Sequence, residues 1–155
     1  MPDEIERKFM LDKLPDWLQD CSSTPIEQGY LAIDEEVEVR LRRIGERRLL
    51  TAKRGHGEVR EEVEVGLGEH QFDALWPLTD SQRLRKTRYL VPLDGLKAEV
   101  DVFEGELEGL VTAEVEFDSA AQSRDFQPPP WLGDEVTGDS RYANQSLALH
   151  GVATD

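Results

Sequence analysis

The sequence predicts a mainly antiparallel β fold of the α+β class. Eight strands would form a sheet closed or nearly closed into a barrel, with flanking helices and a helix at the C-terminus. Three observations predict it. Eight segments alternate apolar and polar residues with the period of two that a half-buried strand requires. Only short stretches between them carry the wider apolar spacing of a helix. The charged residues of the eight segments collect on one face, and valine, isoleucine and leucine on the other.

The first strand covers residues 3–10. Glu4, Glu6 and Lys8 stand two apart and share a face, and Ile5 and Phe9 take the other. Two carboxylates and an ammonium on one face could hold a divalent metal and the anion it neutralises. A solvated strand face is the plainer meaning of the same pattern. Residues 12–20 read as a short helix capped by Asp12 and burying Leu14, Trp17 and Leu18. Residues 26–33 form the second strand.

Residues 37–42 form the third, with Val37, Val39 and Leu41 opposite Glu38, Arg40 and Arg42. Residues 49–53 form the fourth, where Thr51 and Lys53 share a side. Gly55-His56-Gly57 is a hairpin connection. The fifth strand, residues 59–65, sets Arg60, Glu62 and Glu64 against Val59, Val63 and Val65, with Glu61 interrupting the apolar side.

Residues 68–78 read as a helix burying Phe72, Leu75 and Trp76 and ended by Pro77. Residues 83–91 form the sixth strand, with Lys86 and Arg88 on one side. Residues 97–103 form the seventh, with Glu99 and Asp101 together, and residues 111–117 the eighth, with Glu114 and Glu116 together. Residues 119–126 suit a short helix with Asp118 as its cap, the three prolines at 128–130 an extended loop, and residues 140–150 the closing helix.

The length of 155 residues suits a single domain, residues 1–155. The net charge of −15 excludes a fold-wide basic surface for nucleic acid. It does not exclude a local cationic cleft. No apolar run reaches membrane-spanning length, no signal segment opens the chain, and Cys21 has no partner for a disulfide, so a cytoplasmic protein is expected. His56, His70 and His150 lack metal-ligand spacing, and neither a phosphate-binding glycine loop nor a nucleophile elbow occurs.

Two explanations of the charged face compete. It is either the wet side of a sandwich or the lining of a cavity. Acidic pairs recur on the first, fifth, seventh and eighth strands, which a solvated face does not need. Converging acids repel one another unless cations sit among them. Lysines and arginines supply part of that charge, and a divalent metal can supply the rest. Hard cations such as Mg²⁺ bind oxygen ligands and phosphates together, and arginine forks match phosphate oxygens. Such a lining suits phosphoryl or nucleotidyl transfer.

Glu4-Ile5-Glu6-Arg7-Lys8 resembles the ExExK signature of the CYTH superfamily, also called triphosphate tunnel metalloenzymes. Arg40-Leu41-Arg42, Lys53, Arg60 to Glu64, Lys86-Thr87-Arg88-Tyr89, Glu99-Val100-Asp101, Glu114-Val115-Glu116 and the segment from Asp139 to Ala148 follow in the family's order. The resemblance covers essentially the whole chain. It implies an eight-stranded antiparallel β-tunnel, a closed barrel, whose lumen binds a triphosphate. It implies that Glu4, Glu6, Asp101, Glu114 and Glu116 hold Mg²⁺ or Mn²⁺, and that Lys8, Arg40, Arg42, Lys53, Lys86 and Arg88 grip the phosphates. Glu62 and Glu64 would position the attacking water or a second metal.

The activity so implied is hydrolysis of inorganic triphosphate to pyrophosphate and phosphate, with a small-molecule polyanion as partner and neither nucleic acid nor membrane. Adenylate cyclase, nucleoside or thiamine triphosphatase, and a non-catalytic polyphosphate-binding module are the alternatives. The His-Phe pair that often precedes ExExK in the cyclases is absent here. Trp17, Trp76 and Trp131 are better explained by packing than as a platform for thiamine. In some relatives the last helix plugs the tunnel with a lysine. This chain has none after Lys97, so that role would pass to Arg141 or be lost.

Overall fold

The structure, a computed structural model, describes residues 5–34, 36–55 and 61–151. Its strands are β1 (Ile5–Met10), β2 (Ser22–Ile33), β3 (Val37–Ile44), β4 (Arg47–Arg54), β5 (Glu61–Gly66), β6 (Arg83–Leu93), β7 (Leu96–Phe103) and β8 (Val111–Phe117). Three short helices, α1 (Glu69–Leu75), α2 (Ala120–Asp125) and α3 (Asn144–His150), stand among and after them. All strand pairs are antiparallel, in the order β1-β8-β7-β6-β2-β3-β4-β5. Among the described residues no helix is long and apolar enough to cross a membrane.

The sheet curls into a tunnel. Side chains from β1 and β8 at one end of the strand order, and from β3 and β4 near the other, line one common cavity. No ladder joins β1 to β5 among the described residues, so the barrel is not hydrogen-bonded all the way round. The free edge of β1 is instead covered by a C-terminal arm. Met10 N donates to the Asp134 carbonyl at 2.8 Å, Gly133 N to the Met10 carbonyl at 2.7 Å, and Val136 N to the Lys8 carbonyl at 2.8 Å. An exposed edge strand is thereby supplied with partners.

The outer face of β1, β7 and β8 is the apolar one. Phe9, Val100, Ala113, Val115 and Phe117 are buried there under Leu18, Phe126 and Leu132. Arg7 interrupts that face and is half-buried there. Its guanidinium binds Glu135 at 2.6 and 3.0 Å, donates to the Ser123 carbonyl at 2.9 Å, and lies over the rings of Phe9 and Phe126. A second apolar cluster, with Tyr30, Leu84, Phe103, Leu107 and Leu110, seats α3 through Leu147 and Ala148.

Several local expectations are corrected. Residues 12–20 hold only a 3-10 turn over Asp16–Asp20, in which Leu18 alone is buried, while Leu14 and Trp17 stay exposed. Pro15 is the cause, because it disfavours helical backbone at the residue before it. The second strand starts four residues earlier than expected and includes Pro25, which pairs with β6 just beyond the point where the β3 ladder ends. The helix before Pro77 is shorter and passes into a 3-10 turn at Trp76–Thr79. Gly29 lets this turn approach β2, since a Cβ there would lie 2.5 Å from the Thr79 hydroxyl oxygen. Ser119, not Asp118, caps α2 by accepting from Gln122 N. The closing helix is split into a 3-10 turn at Ser140–Tyr142 and α3.

Candidate functional site

Register assigns the lumen face residue by residue, because directly opposed residues of an antiparallel pair share a face. Glu6 opposes Glu116 and Lys8 opposes Glu114, which in turn opposes Glu99. Asp101 opposes Arg88, and Lys86 opposes Phe103. On the other half, Tyr30 opposes Arg40 and Gln28 opposes Arg42. Arg40 opposes Thr51, and Glu38 opposes Lys53. Thr51 opposes Glu64, and Lys53 opposes Glu62. Every charged residue of the candidate set within the described residues therefore points to the lumen side. Glu4 and residues 56–60, Arg60 among them, lie outside the described residues.

Within the lumen these residues divide into two groups. One group lines a cavity of about 300 Å³: Glu6, Lys8, Glu38, Arg40, Lys53 and Glu114, closed on one side by Val136 to Ser140, Ala143 and Asn144 of the arm. Tyr30 lies at its wall. Lys8 Nζ donates to the Tyr142 carbonyl at 2.6 Å and stands 3.5 Å from Glu114. Arg40 has a buried Nε without a hydrogen-bond partner among the described residues. The Arg40 side chain lines the cavity, where a guanidinium is suited to an incoming anion.

The second group is paired internally. Lys86 lies 2.8 Å from Asp101, and Arg88 binds the same carboxylate through two donors at 2.8 and 3.0 Å and reaches Glu99 at 2.7 Å. Burial pushes the Asp101 carboxyl up, but Lys86 and Arg88 together hold it below the ordinary carboxylate value. Burial raises Glu99, with Arg88 opposing. Lys86 also donates to the Asn144 side chain at 3.3 Å, which ties β6 to α3. Arg42 and Glu64 pair at 3.3 Å, and Glu64 accepts from Thr51 as well. Burial lowers the Arg42 guanidinium.

Glu38, Tyr30, Gln28 and Thr51 also lie on the lumen face and were not among the candidates. Gln28 donates to the Tyr30 hydroxyl at 2.6 Å. Burial, and then the charge of Glu38, pushes that hydroxyl up to about 12. Glu38 carried a usable signal, since it shares its strand face with Arg40 and Arg42. Tyr30 and Gln28 carried none, because on β2 they share their face with the apolar Ile26 and with no charged residue.

Arg141 does not reach the cavity lining. It is folded back on Asp139 at 2.7 Å. Trp17 packs edge to face on Trp131, and Trp76 stacks on Phe72 beneath Arg83, so no tryptophan lines the cavity.

The donor set fits a hard metal ion of one kind. No three acidic, histidine or cysteine side chains converge into a closed metal cage among the described residues. Glu6 and Glu114 nevertheless face the same cavity from paired strands. Two carboxylates suit a Mg²⁺-like ion that keeps waters and takes further oxygens from a phosphate substrate.

The family model for the CYTH domain matches residues 2–150. An inorganic triphosphatase of Nitrosomonas europaea is 45% identical over 148 residues, spanning 94% of this chain and 97% of that protein. One of Acetivibrio thermocellus is 35% identical over 150 residues, spanning 95% and 94%. The crystal structure of an inorganic triphosphatase superposes with a TM-score of 0.80 at 42% identity, covering 99% of each chain.

Proposed function

Because the chain belongs to the CYTH domain family, we propose that it hydrolyses inorganic triphosphate to pyrophosphate and phosphate within the curled sheet. The observation that carries this reading is the cavity itself. Lys8, Arg40 and Lys53 meet Glu6 and Glu114 in about 300 Å³, a volume that suits a small polyanion. The near relatives named as inorganic triphosphatases support the choice of substrate.

The residues act as follows. Arg40 and Lys53 on one wall, and Lys8 on the other, bind phosphate oxygens, with Arg40 supplying a planar fork and the lysines point charges. Arg42 adds positive charge on the same face of β3. Lys86 and Arg88 act from behind, held by Asp101, and set the field rather than the first contacts.

Glu6 and Glu114, with Glu116 opposite Glu6 and with Glu4 of the ExExK signature, would hold the divalent metal, Mg²⁺ or Mn²⁺. When bound it offsets charge on phosphate oxygens. Water attacks the terminal phosphorus in line, the bond to the bridging oxygen breaks, and pyrophosphate leaves with the electron pair. Glu64 is committed to Arg42 and Thr51, so we place water positioning on Glu62, opposite Lys53.

Phosphate release from tripolyphosphate and from ATP, measured side by side with Mg²⁺, Mn²⁺ or chelator, tests the proposal. Fast, metal-dependent turnover of tripolyphosphate with little turnover of ATP is expected. Turnover of ATP alone would replace it with a nucleotide enzyme. Tight tripolyphosphate binding without turnover would replace it with a binding module.

A further inference from the structure

We infer that Glu38 is the resident counter-charge of the phosphate-binding wall, and that it sets how tightly the cavity holds a polyphosphate. The inference rests on the triphosphate reading above. The metal-facing acids Glu6 and Glu114 belong to β1 and β8. Glu38 belongs to β3, among the cations that would grip the substrate. It lies two residues from Arg40 on the same face and directly across the β3–β4 ladder from Lys53.

Its side chain is 9% exposed, as is that of Arg40. A buried carboxylate is costly unless its surroundings repay it. It is also misplaced in a wall built only to attract anions, since it repels any phosphate that enters.

The distance decides between two roles. Glu38 Oε2 stands 3.8 Å from Arg40 Nη1, beyond hydrogen-bond reach. Glu38 therefore does not fix the arginine fork by a hydrogen bond. It offsets the arginine's charge while leaving the buried Nε donor without a partner among the described residues. The contrast with Arg88, whose donors are taken by Asp101 and Glu99, is direct. The influence of Glu38 reaches the cavity wall, since its charge adds to burial in holding the Tyr30 proton.

A wall arranged in this way meets an incoming polyphosphate with reduced net charge. Geometry then does the selecting, and the shorter product is released rather than retained by charge alone.

The test uses inorganic tripolyphosphate and pyrophosphate on the full chain. Calorimetric titration in chelator gives affinity for tripolyphosphate, and inhibition of metal-dependent turnover by pyrophosphate gives product affinity. Glu38→Gln, close in shape but uncharged, is expected to bind tripolyphosphate at least five-fold tighter and to be inhibited by pyrophosphate at correspondingly lower concentration. Glu38→Thr, uncharged and a good strand former, repeats the test if glutamine does not pack. Glu38→Asp keeps the charge and is expected to stay within two-fold of wild type.

Unchanged or weaker binding in whichever neutral variant folds overturns the inference, as does equal tightening in Glu38→Asp. A wild-type protein that turns over tripolyphosphate while the neutral variants show no tightening leaves the functional reading standing. A wild-type protein that does not bind tripolyphosphate at all removes both.

Discussion

Lys86 Nζ lies 2.8 Å from Asp101 Oδ2, with the two side chains 1% and 5% exposed. Arg88 holds the same carboxylate with two further donors and reaches Glu99 as well, so one buried acid is shared by two cations. Asp101→Asn should therefore be costly to the fold. It leaves two cations without their main counter-charge, and breaking a buried pair costs about 3–5 kcal/mol. Urea unfolding at neutral pH measures that loss. The pH dependence has a definite sign. The folded carboxyl lies below its ordinary value of 3.8, so its contribution is present above that value and is lost as pH falls below it. The stability gap between wild type and Asp101→Asn should accordingly narrow in acid.

Arg40→Lys separates charge from geometry. Lysine keeps the positive charge at the cavity wall but loses the planar fork and its unpartnered Nε. A charge-assisted hydrogen bond is worth about 1.5–3 kcal/mol, so KM for tripolyphosphate should rise roughly ten-fold or more. The melting temperature should move little. Steady-state kinetics with a thermal melt on the same preparation checks both.

The arm that covers β1 gives a third expectation. Arg7→Met removes the forked bond to Glu135 and the donation to the Ser123 carbonyl. The pair is partly exposed, so the loss in stability should be about 1 kcal/mol. The same arm continues into Val136 to Asn144 of the cavity wall, so KM for tripolyphosphate should rise as well. Gly133→Ala probes the arm at its other end. A Cβ there would sit 2.5 Å from the Met10 carbonyl oxygen, and such overpacking costs about 1–3 kcal/mol. Thermal melts and kinetics of both variants decide the point.

Strand alternation made the sheet and its charged face legible, because one residue of slip would turn every side chain over. Glu6, Lys8, Arg40, Lys53 and Glu114 could be named from that alternation and the ordered resemblance together. How those charges are spent was not legible. Lys86, Arg88 and Asp101 look like any other members of a charged face, and only the β6–β7 register shows that they occupy one another. The arm was invisible for a different reason. Met10, Gly133, Asp134 and Val136 join it to β1 through backbone groups, which leave no side-chain pattern. Leu14 and Trp17 misled because apolar spacing outweighed Pro15 in the reading of residues 12–20.

On the proposed function, triphosphate is hydrolysed with a divalent metal in the cavity between Glu6 and Arg40. Glu6→Gln tests it most directly, through kcat/KM on tripolyphosphate over a range of Mg²⁺ and Mn²⁺ concentrations, with circular dichroism on the same sample. The expected result is at least a hundred-fold loss of metal-dependent turnover, roughly 2.7 kcal/mol of transition-state stabilisation, with an unchanged fold. Full activity in a folded Glu6→Gln protein would contradict it.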